Sequence, residues 1–467
     1  MFRLGLFQMG LGIMSLLTLG VLNRIMIDEL NVLAWIAASA IAMHQFVSPA
    51  RVWFGQMSDA KTLLGYHRTG YVWIGAALFT TISFVALQVV WQLGSSLQAG
   101  GWSGQTYAWA GILALIFAAY GLALSASSTP FAALLVDVSD EDNRSQLVGV
   151  VWSMLMVGIV VGAIISSKLL NTPDICGSAI LDYAPSPGGK IADIAKLQAT
   201  INPVFILMPA LVFGLCWLAT LGVEKKYSRY STRSRAINRE EQITLGKALG
   251  VLTASRQTGL FFTFLLVLTI SLFMQDAVME PYGGEVFGMC ISETTKLNAF
   301  FGTGTLLGIG STGFLVLPRL GKQRTTKLGC IFAAVCVGVI ILSGLLTNQG
   351  LLTSGLLFFG LASGIITAGA TSLMLDLTAA ETAGTFIGAW GLAQAMARGL
   401  STVFGGVVLN LGKAIFSAPV LAYGTVFVIE ACGMILAIWL LGRVDVKEFR
   451  ANAQAAISAV MEGDLDG

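Results

Sequence analysis

The stretch "LLVDVSDEDNRSQLVGVVW" (134–152) returns later in the chain as "LMLDLTAAETAGTFIGAW" (373–390). In each, an apolar run ends on an Asp, Asp137 or Asp376, and a short polar island follows. A Gly, Gly149 or Gly388, stands 12 residues after the Asp, at the head of the next apolar run. Such a repeat, at corresponding places in two halves, is how an internally duplicated membrane bundle shows itself in sequence.

The islands are small because nearly everything around them is apolar. Of the 467 residues, 55% are hydrophobic and 11% charged, with a mean hydropathy of +0.79. That balance places the chain in the membrane class and excludes a soluble enzyme. The net charge of +2 is spread over loops and forms no nucleic-acid-binding stripe. Two His and six Cys fall in no metal-ligand spacing. Cys216, Cys330, Cys336 and Cys432 lie in apolar runs and are expected to pack as small apolar residues. Cys176 and Cys290 fall in loops on one side, where the sequence leaves a disulfide between them open. No nucleophile–base pair, phosphate loop or dinucleotide fingerprint supports an enzyme.

A spanning helix needs roughly 20 mainly apolar residues. On that template the sequence predicts twelve segments, near 4–26, 32–54, 70–92, 107–136, 146–169, 203–223, 258–280, 297–317, 328–346, 352–375, 384–411 and 419–442. With both termini in the cytoplasm, most of the 27 Lys and Arg fall on the cytoplasmic side, as the positive-inside rule requires. The basic stretch "EKKYSRYSTRSRAINREE" (224–241) comes midway. It predicts an N-terminal bundle over 1–223, a cytoplasmic linker over 224–257 that also meets anionic lipid, a second bundle over 258–442 and a cytoplasmic tail over 443–467.

After the second segment stands "FGQMSDAKTLLGYHRTG" (54–70), with Gly55, Ser58, Asp59, Gly65 and Arg68. This resembles the gate loop of the major facilitator superfamily, with a short insertion and a degenerate counterpart, "LPRLGKQR" (317–324). The resemblance implies an all-α polytopic fold of 12 transmembrane helices in two pseudo-symmetric halves. It also implies an inner gate drawn from Gly55, Asp59, Arg68, Asp137, Arg144 and Asp376.

Ionisable groups at membrane depth cost several kcal/mol unless paired or wetted. His44 and Gln45 lie midway along the second segment, where imidazole suits a pigment's Mg, a neighbouring helix or proton transfer. Arg398 and Glu430 reach similar depth on consecutive antiparallel segments and are expected to pair. Asp276 and Glu280 stand at i and i+4 near the outer end of the seventh segment, opposite Arg24. An outer gate is expected there from Arg24, Asp276, Glu280, Tyr282, Gly283 and Gly284, with a salt bridge from Arg24 to Asp276 or Glu280. Pro281 is read as the stop of that helix and Gly283-Gly284 as the reversal after it.

"QDAVMEPYGGEVFG" (275–288), "RLGLFQMGLG" (3–12) and "LNRIMIDEL" (22–30) together resemble the PucC-like, bacteriochlorophyll delivery family within that superfamily, and "GYHRTG" (65–70) with "VSPARVWFGQMSD" (47–59) resembles its cyanobacterial branch. The resemblance implies an assembly factor of the photosynthetic membrane that handles chlorophyll a or bacteriochlorophyll, with carotenoid or lipid as further ligands. Light-harvesting or photosystem subunits and chlorophyll-synthesis enzymes are the implied partners, and nucleic acid is not. Candidate pigment contacts are His44, Gln45, Asn23, Gln275 and Glu280. The competing expectation is a proton-coupled carrier of a small amphipathic solute, titrating at Asp276, Glu280 or His44.

Overall fold

The structure, a computed structural model, describes residues 2–139, 141–171, 194–228, 256–377 and 383–444. Apart from one isolated bridge, Leu63 to Tyr66, the described chain is helical. The first half contains α1 (Phe2–Glu29), α2 (Ala34–Phe46), α3 (Ala50–Ala60), α4 (Thr69–Gly100), α5 (Gly104–Asp137), α6 (Glu141–Leu170), α7 (Ile194–Thr220) and the short α8 (Val223–Tyr227). The second half contains α9 (Arg256–Phe273), α10 (Met279–Phe287), α11 (Ile291–Ser311), α12 (Leu317–Leu320), α13 (Lys322–Leu345), α14 (Gln349–Leu377), α15 (Ala383–Ile415) and α16 (Pro419–Gly442). Ten helices among the described residues are long and apolar enough to cross a membrane, which makes this an integral membrane protein.

Two predicted segments take a different form. The segment at 32–54 divides into α2 and α3 around Val47–Pro49, because Pro49 has no N–H to continue the ladder and its ring crowds the preceding turn. The segment at 297–317 lies in α11 and its continuation through a π-helical turn, Thr312–Val316, outside the ten. The predicted linker begins as helix, in α8, and otherwise lies outside the described residues except at its two edges.

Helix packing repeats between the halves. In the first, α1 packs on α6 and α7, α4 packs on α5 and α7, and the α2–α3 arm packs on α5. In the second, α9 packs on α15 and α16, α13 packs on α14 and α16, and α11 packs on α14. Each pair in one half has its counterpart in the other, and the joints between halves, α2 on α15 and α6 on α11, are also exchanged by the pseudo-symmetry. Small residues permit these approaches: a Cβ on Gly12 or Gly158 would strike the backbone of the facing helix at the α1–α6 crossing, as would one on Gly304 or Gly360 where α11 meets α14.

Candidate functional site

Call the face carrying Phe2, the 61–68 turn and Arg443 basal, and the opposite face apical. Near the apical end both symmetry-related helices α1 and α9 lose regular geometry at facing positions. α1 runs through two π-helical turns, Leu16–Val21 and Ile25–Glu29, on either side of Asn23 and Arg24. α9 ends at Phe273, and a 3₁₀ turn, Met274–Ala277, precedes α10. Irregular backbone at this depth is tolerated where protein satisfies it or where it lines a cavity, and both conditions hold here.

Asn23 supplies the first satisfaction: its Nδ2 donates to the Ala277 carbonyl at 2.7 Å. Arg24, 2% exposed, spans the halves, with Nη1 donating to the Glu280 carbonyl and Nη2 to the Met289 carbonyl, each at 3.1 Å. Its charge is met from its own helix, by Asp28 at 2.6 Å and Glu29 at 3.4 Å. The expected salt bridge from Arg24 to Asp276 or Glu280 is therefore corrected: the cross-half bonds go to backbone, at the Glu280 carbonyl in the first turn of α10 and at the Met289 carbonyl just past its end.

The expected Pro-Tyr-Gly-Gly turn is corrected too. Pro281 falls in the first turn of α10, where its missing N–H costs nothing, and the helix runs on through Gly283 and Gly284. It ends at Gly288, whose φ of +67° is the left-handed position that favours glycine. Gly284 is needed for approach instead, since a Cβ there would collide with Arg24 and Asp28. Tyr282 points away from the joint into its own half: its hydroxyl donates to the Ile340 carbonyl at 3.0 Å and its ring packs against Phe287, Tyr423 and Phe427.

Between α1, α6, α9–α10, α11 and α14 lies a cavity of about 80 Å³, lined by Ser15, Gly20, Gln275, Asp276, Glu280 and Asn298 among others. Glu280 is buried; its Oε1 accepts from Asn298 Nδ2 at 2.5 Å, and Oε2 has no partner. Gly20 makes room for that carboxyl, which a Cβ would strike. Asp276 Oδ1 accepts from Gln275 Nε2 at 2.9 Å. Sequence reasoning passed over Asn298 and Gly20; the signal was a lone amide at the head of an apolar run, and no pattern marked the glycine.

Arg398 and Glu430 do not pair. Glu430 is fully buried with neither carboxyl oxygen hydrogen-bonded, while Arg398 stacks on the Phe273 ring at 4.0 Å and faces Asp276. Equal depth does not fix azimuth, and Arg398 turns toward α9 rather than α16. His44 is engaged at both ring nitrogens: the Ile41 carbonyl can only accept, so Nδ1 donates to it at 2.5 Å and Nε2 accepts from Gln45 Nε2 at 2.8 Å.

At the basal end Arg68 Nε meets Asp137 at 3.1 Å and Nη1 donates to Ser58 Oγ at 2.6 Å. Gly55 packs against Thr129. Nothing in the sequence pointed to Glu224, whose carboxylate accepts the backbone N–H groups of His67, Arg68 and Thr69 at 2.7 to 3.3 Å and so caps α4. The side chains of Asp59, Arg144 and Asp376 lie outside the described residues. So does Cys176; Cys290 is disulfide-bonded, and Cys216, Cys330, Cys336 and Cys432 are free.

Two exchanged sets of helices, joined apically around a polar cavity, define a polytopic membrane protein of the major facilitator superfamily fold. A mutant of the nucleoside transporter NupG superposes with a TM-score of 0.67 at 11% identity, over 95% of this chain and 98% of that one, a likeness of fold alone. The chain belongs to the PUCC protein family, whose model matches residues 21–449. It is 31% identical over 447 residues to Protein PucC of Rhodobacter capsulatus, covering 93% of this chain and 90% of that one. It is 28% identical over 473 residues to the bacteriochlorophyll synthase 44.5 kDa chain of the same organism, covering 99% and 98%.

Proposed function

We propose that the chain is a non-enzymatic assembly factor for chlorophyll-containing light-harvesting or photosystem complexes. In this reading it handles or delivers (bacterio)chlorophyll and docks nascent pigment-binding subunits in a photosynthetic membrane, with both termini cytoplasmic. The observation that carries it is the family match over nearly the whole chain, together with a relative named for bacteriochlorophyll synthase. The dimensions bear on where pigment sits. The apical cavity, at about 80 Å³, falls well below the ~300–1,000 Å³ of ordinary ligand pockets. A macrocycle therefore belongs outside that cavity, against helix faces, where Trp53, Trp152, Phe404 and Trp439 are exposed. The residues present suit a transient contact better than a fixed axial ligand, since His44 is already engaged at both nitrogens.

A second reading, a proton-coupled carrier of a small amphipathic solute, is favoured by one observation. Glu280 keeps an unpartnered carboxyl oxygen beside Asp276 at the break in α9–α10, and discontinuous helices commonly build transporter sites. Affinity purification in mild detergent from a phototrophic host, read by red-band absorbance and mass spectrometry, separates the two. Chlorophyll with antenna, photosystem or chlorophyll-synthesis subunits in stoichiometric yield is the result expected. A colourless, partnerless protein would overturn the assembly reading in favour of the carrier.

A further inference from the structure

The apical cavity holds a charge that the fold itself does not answer. Glu280, 4% exposed, stands in its wall with Oε1 on Asn298 and Oε2 without a partner. The carboxyl is turned toward the opposite half, since a Cβ on Gly20, inside the π-helical turn Leu16–Val21 of α1, would strike it. A buried carboxylate with one bare oxygen is costly at membrane depth until a cation or a proton meets it. No side chain supplies that cation. Arg24 gives its N–H groups to the main-chain carbonyls of Glu280 and Met289, and its charge is met by Asp28 and Glu29. Arg398 faces the other carboxylate of the cavity, Asp276, while resting on the Phe273 ring. Among the described residues, no basic side chain stands within ion-pair distance of Glu280. One negative charge is left over.

The polar groups around that charge are oxygen donors. Gln275 and Asn298 each give an amide N–H to a carboxylate of the cavity, at 2.9 Å to Asp276 and 2.5 Å to Glu280, which keeps both amide carbonyls as oxygen donors. Ser15 adds a hydroxyl from the other half. Carboxylate, amide and hydroxyl oxygens, with no imidazole or thiolate among them, are the ligand set of a hard cation. The size agrees. At about 80 Å³ the cavity takes a few waters or one partly hydrated ion, and it is too small for an organic solute.

We infer that the apical cavity is a binding site for one sodium ion, held by the carboxylates of Glu280 and Asp276 with side-chain oxygens of Gln275, Asn298 and Ser15. A single uncompensated charge suits a monovalent ion rather than Mg²⁺ or Ca²⁺, and carboxylates, being ligands of high field strength, favour sodium over potassium. The ion draws ligands from both halves and so stabilises the apical joint. This goes beyond both functional readings: the assembly factor requires no ion, and the carrier places a proton at Glu280.

The test uses the purified full-length protein in detergent, with choline chloride holding ionic strength constant at fixed pH. Binding of radiolabelled sodium and Tm are measured for the parent, for Glu280→Gln and Asn298→Ala, and for Glu285→Gln as a control. Glu285 lies on α10 too, but it pairs with Lys413 and is not part of the cavity wall. The expected result is saturable binding of one sodium per chain, with potassium competing only at tenfold or higher concentration, and a rise in Tm of about 3 °C or more when sodium replaces choline. Glu280→Gln should keep the parental Tm in choline and lose the sodium response. Asn298→Ala should weaken binding several-fold, and Glu285→Gln should leave it unchanged. Potassium, Mg²⁺ or Ca²⁺ competing at lower concentration than sodium would overturn the assignment of the ion. Equal loss of binding in Glu285→Gln would overturn the assignment of the cavity. A well-folded parent that neither binds sodium nor responds to it would overturn the site altogether, and leave Glu280 to carry a proton as the carrier reading requires.

Discussion

At the apical end Arg24 of α1 reaches across to carbonyls of α10 and of the loop after it, whereas at the basal end Arg68 turns back to Ser58 and Asp137 of its own half. Every hydrogen bond between described residues of the two halves belongs to the first kind. Asn23 meets Ala277, Arg24 meets Glu280 and Met289, Asn410 accepts from the Ala34 N–H, and Ser167 meets Ser292, all toward the apical face. The two arms of the second predicted segment tell the same story: α2, the apical arm, packs on α15, while α3, the basal arm, packs on α5 of its own half. Polar groups thus staple the halves at one end and stiffen one half separately at the other. Among the described residues, the polar ties between the halves are therefore apical.

Substitutions at the two ends should therefore differ in kind as well as in size. Gly284→Val should have the largest effect, since its side chain would displace Arg24 and Asp28 together; a loss on the order of 5 kcal/mol is expected, seen as failure to accumulate or a collapsed Tm in detergent. A variant of near-parental stability would break the claim that the glycine serves close approach. Arg24→Gln strands Asp28 and two carbonyls, and a loss of about 3 kcal/mol is expected, with increased apical access of thiol reagents to the cavity. At the other end Glu224→Ala removes the acceptor of three backbone N–H groups and should cost about 1–2 kcal/mol while leaving apical access unchanged. Apical opening in that variant would show that the ends are coupled after all. The smallest effect is expected of Asn410→Ala, about 1 kcal/mol or less, because it removes one acceptor from the first N–H of α2.

How far the sequence discloses this depends on the kind of feature. Long apolar runs bounded by polar islands were legible almost to the residue, as at 419–442, which is α16. The Asp-to-Gly repeat at 137–149 and 376–388 announced the duplication that helix packing displays. Breaks were harder. "MQDAVM" (274–279) contains neither Gly nor Pro, so nothing in it signals the 3₁₀ turn that ends α9, whereas "EPYGG" (280–284) looks like a turn and is helix. Proline in a first turn and glycine chosen for close approach look the same, in one sequence, as proline and glycine in a reversal. Side-chain pairing was legible only to depth. Arg24 and Glu280 were rightly brought together, but through a carbonyl; Arg398 and Glu430 share a depth and face different ways.

The apical seal is tested most directly by a single cysteine at Ser15, on the cavity wall, in a background where Cys216, Cys330, Cys336 and Cys432 are replaced by Ser. Membrane-impermeant maleimide is applied to sealed vesicles of each orientation, and the rate of labelling is compared. Reaction at least tenfold faster from the basal side, the side that carries Phe2 and Arg443, is the result this structure predicts. Equal rates from both sides, or faster reaction from the apical side, would contradict it.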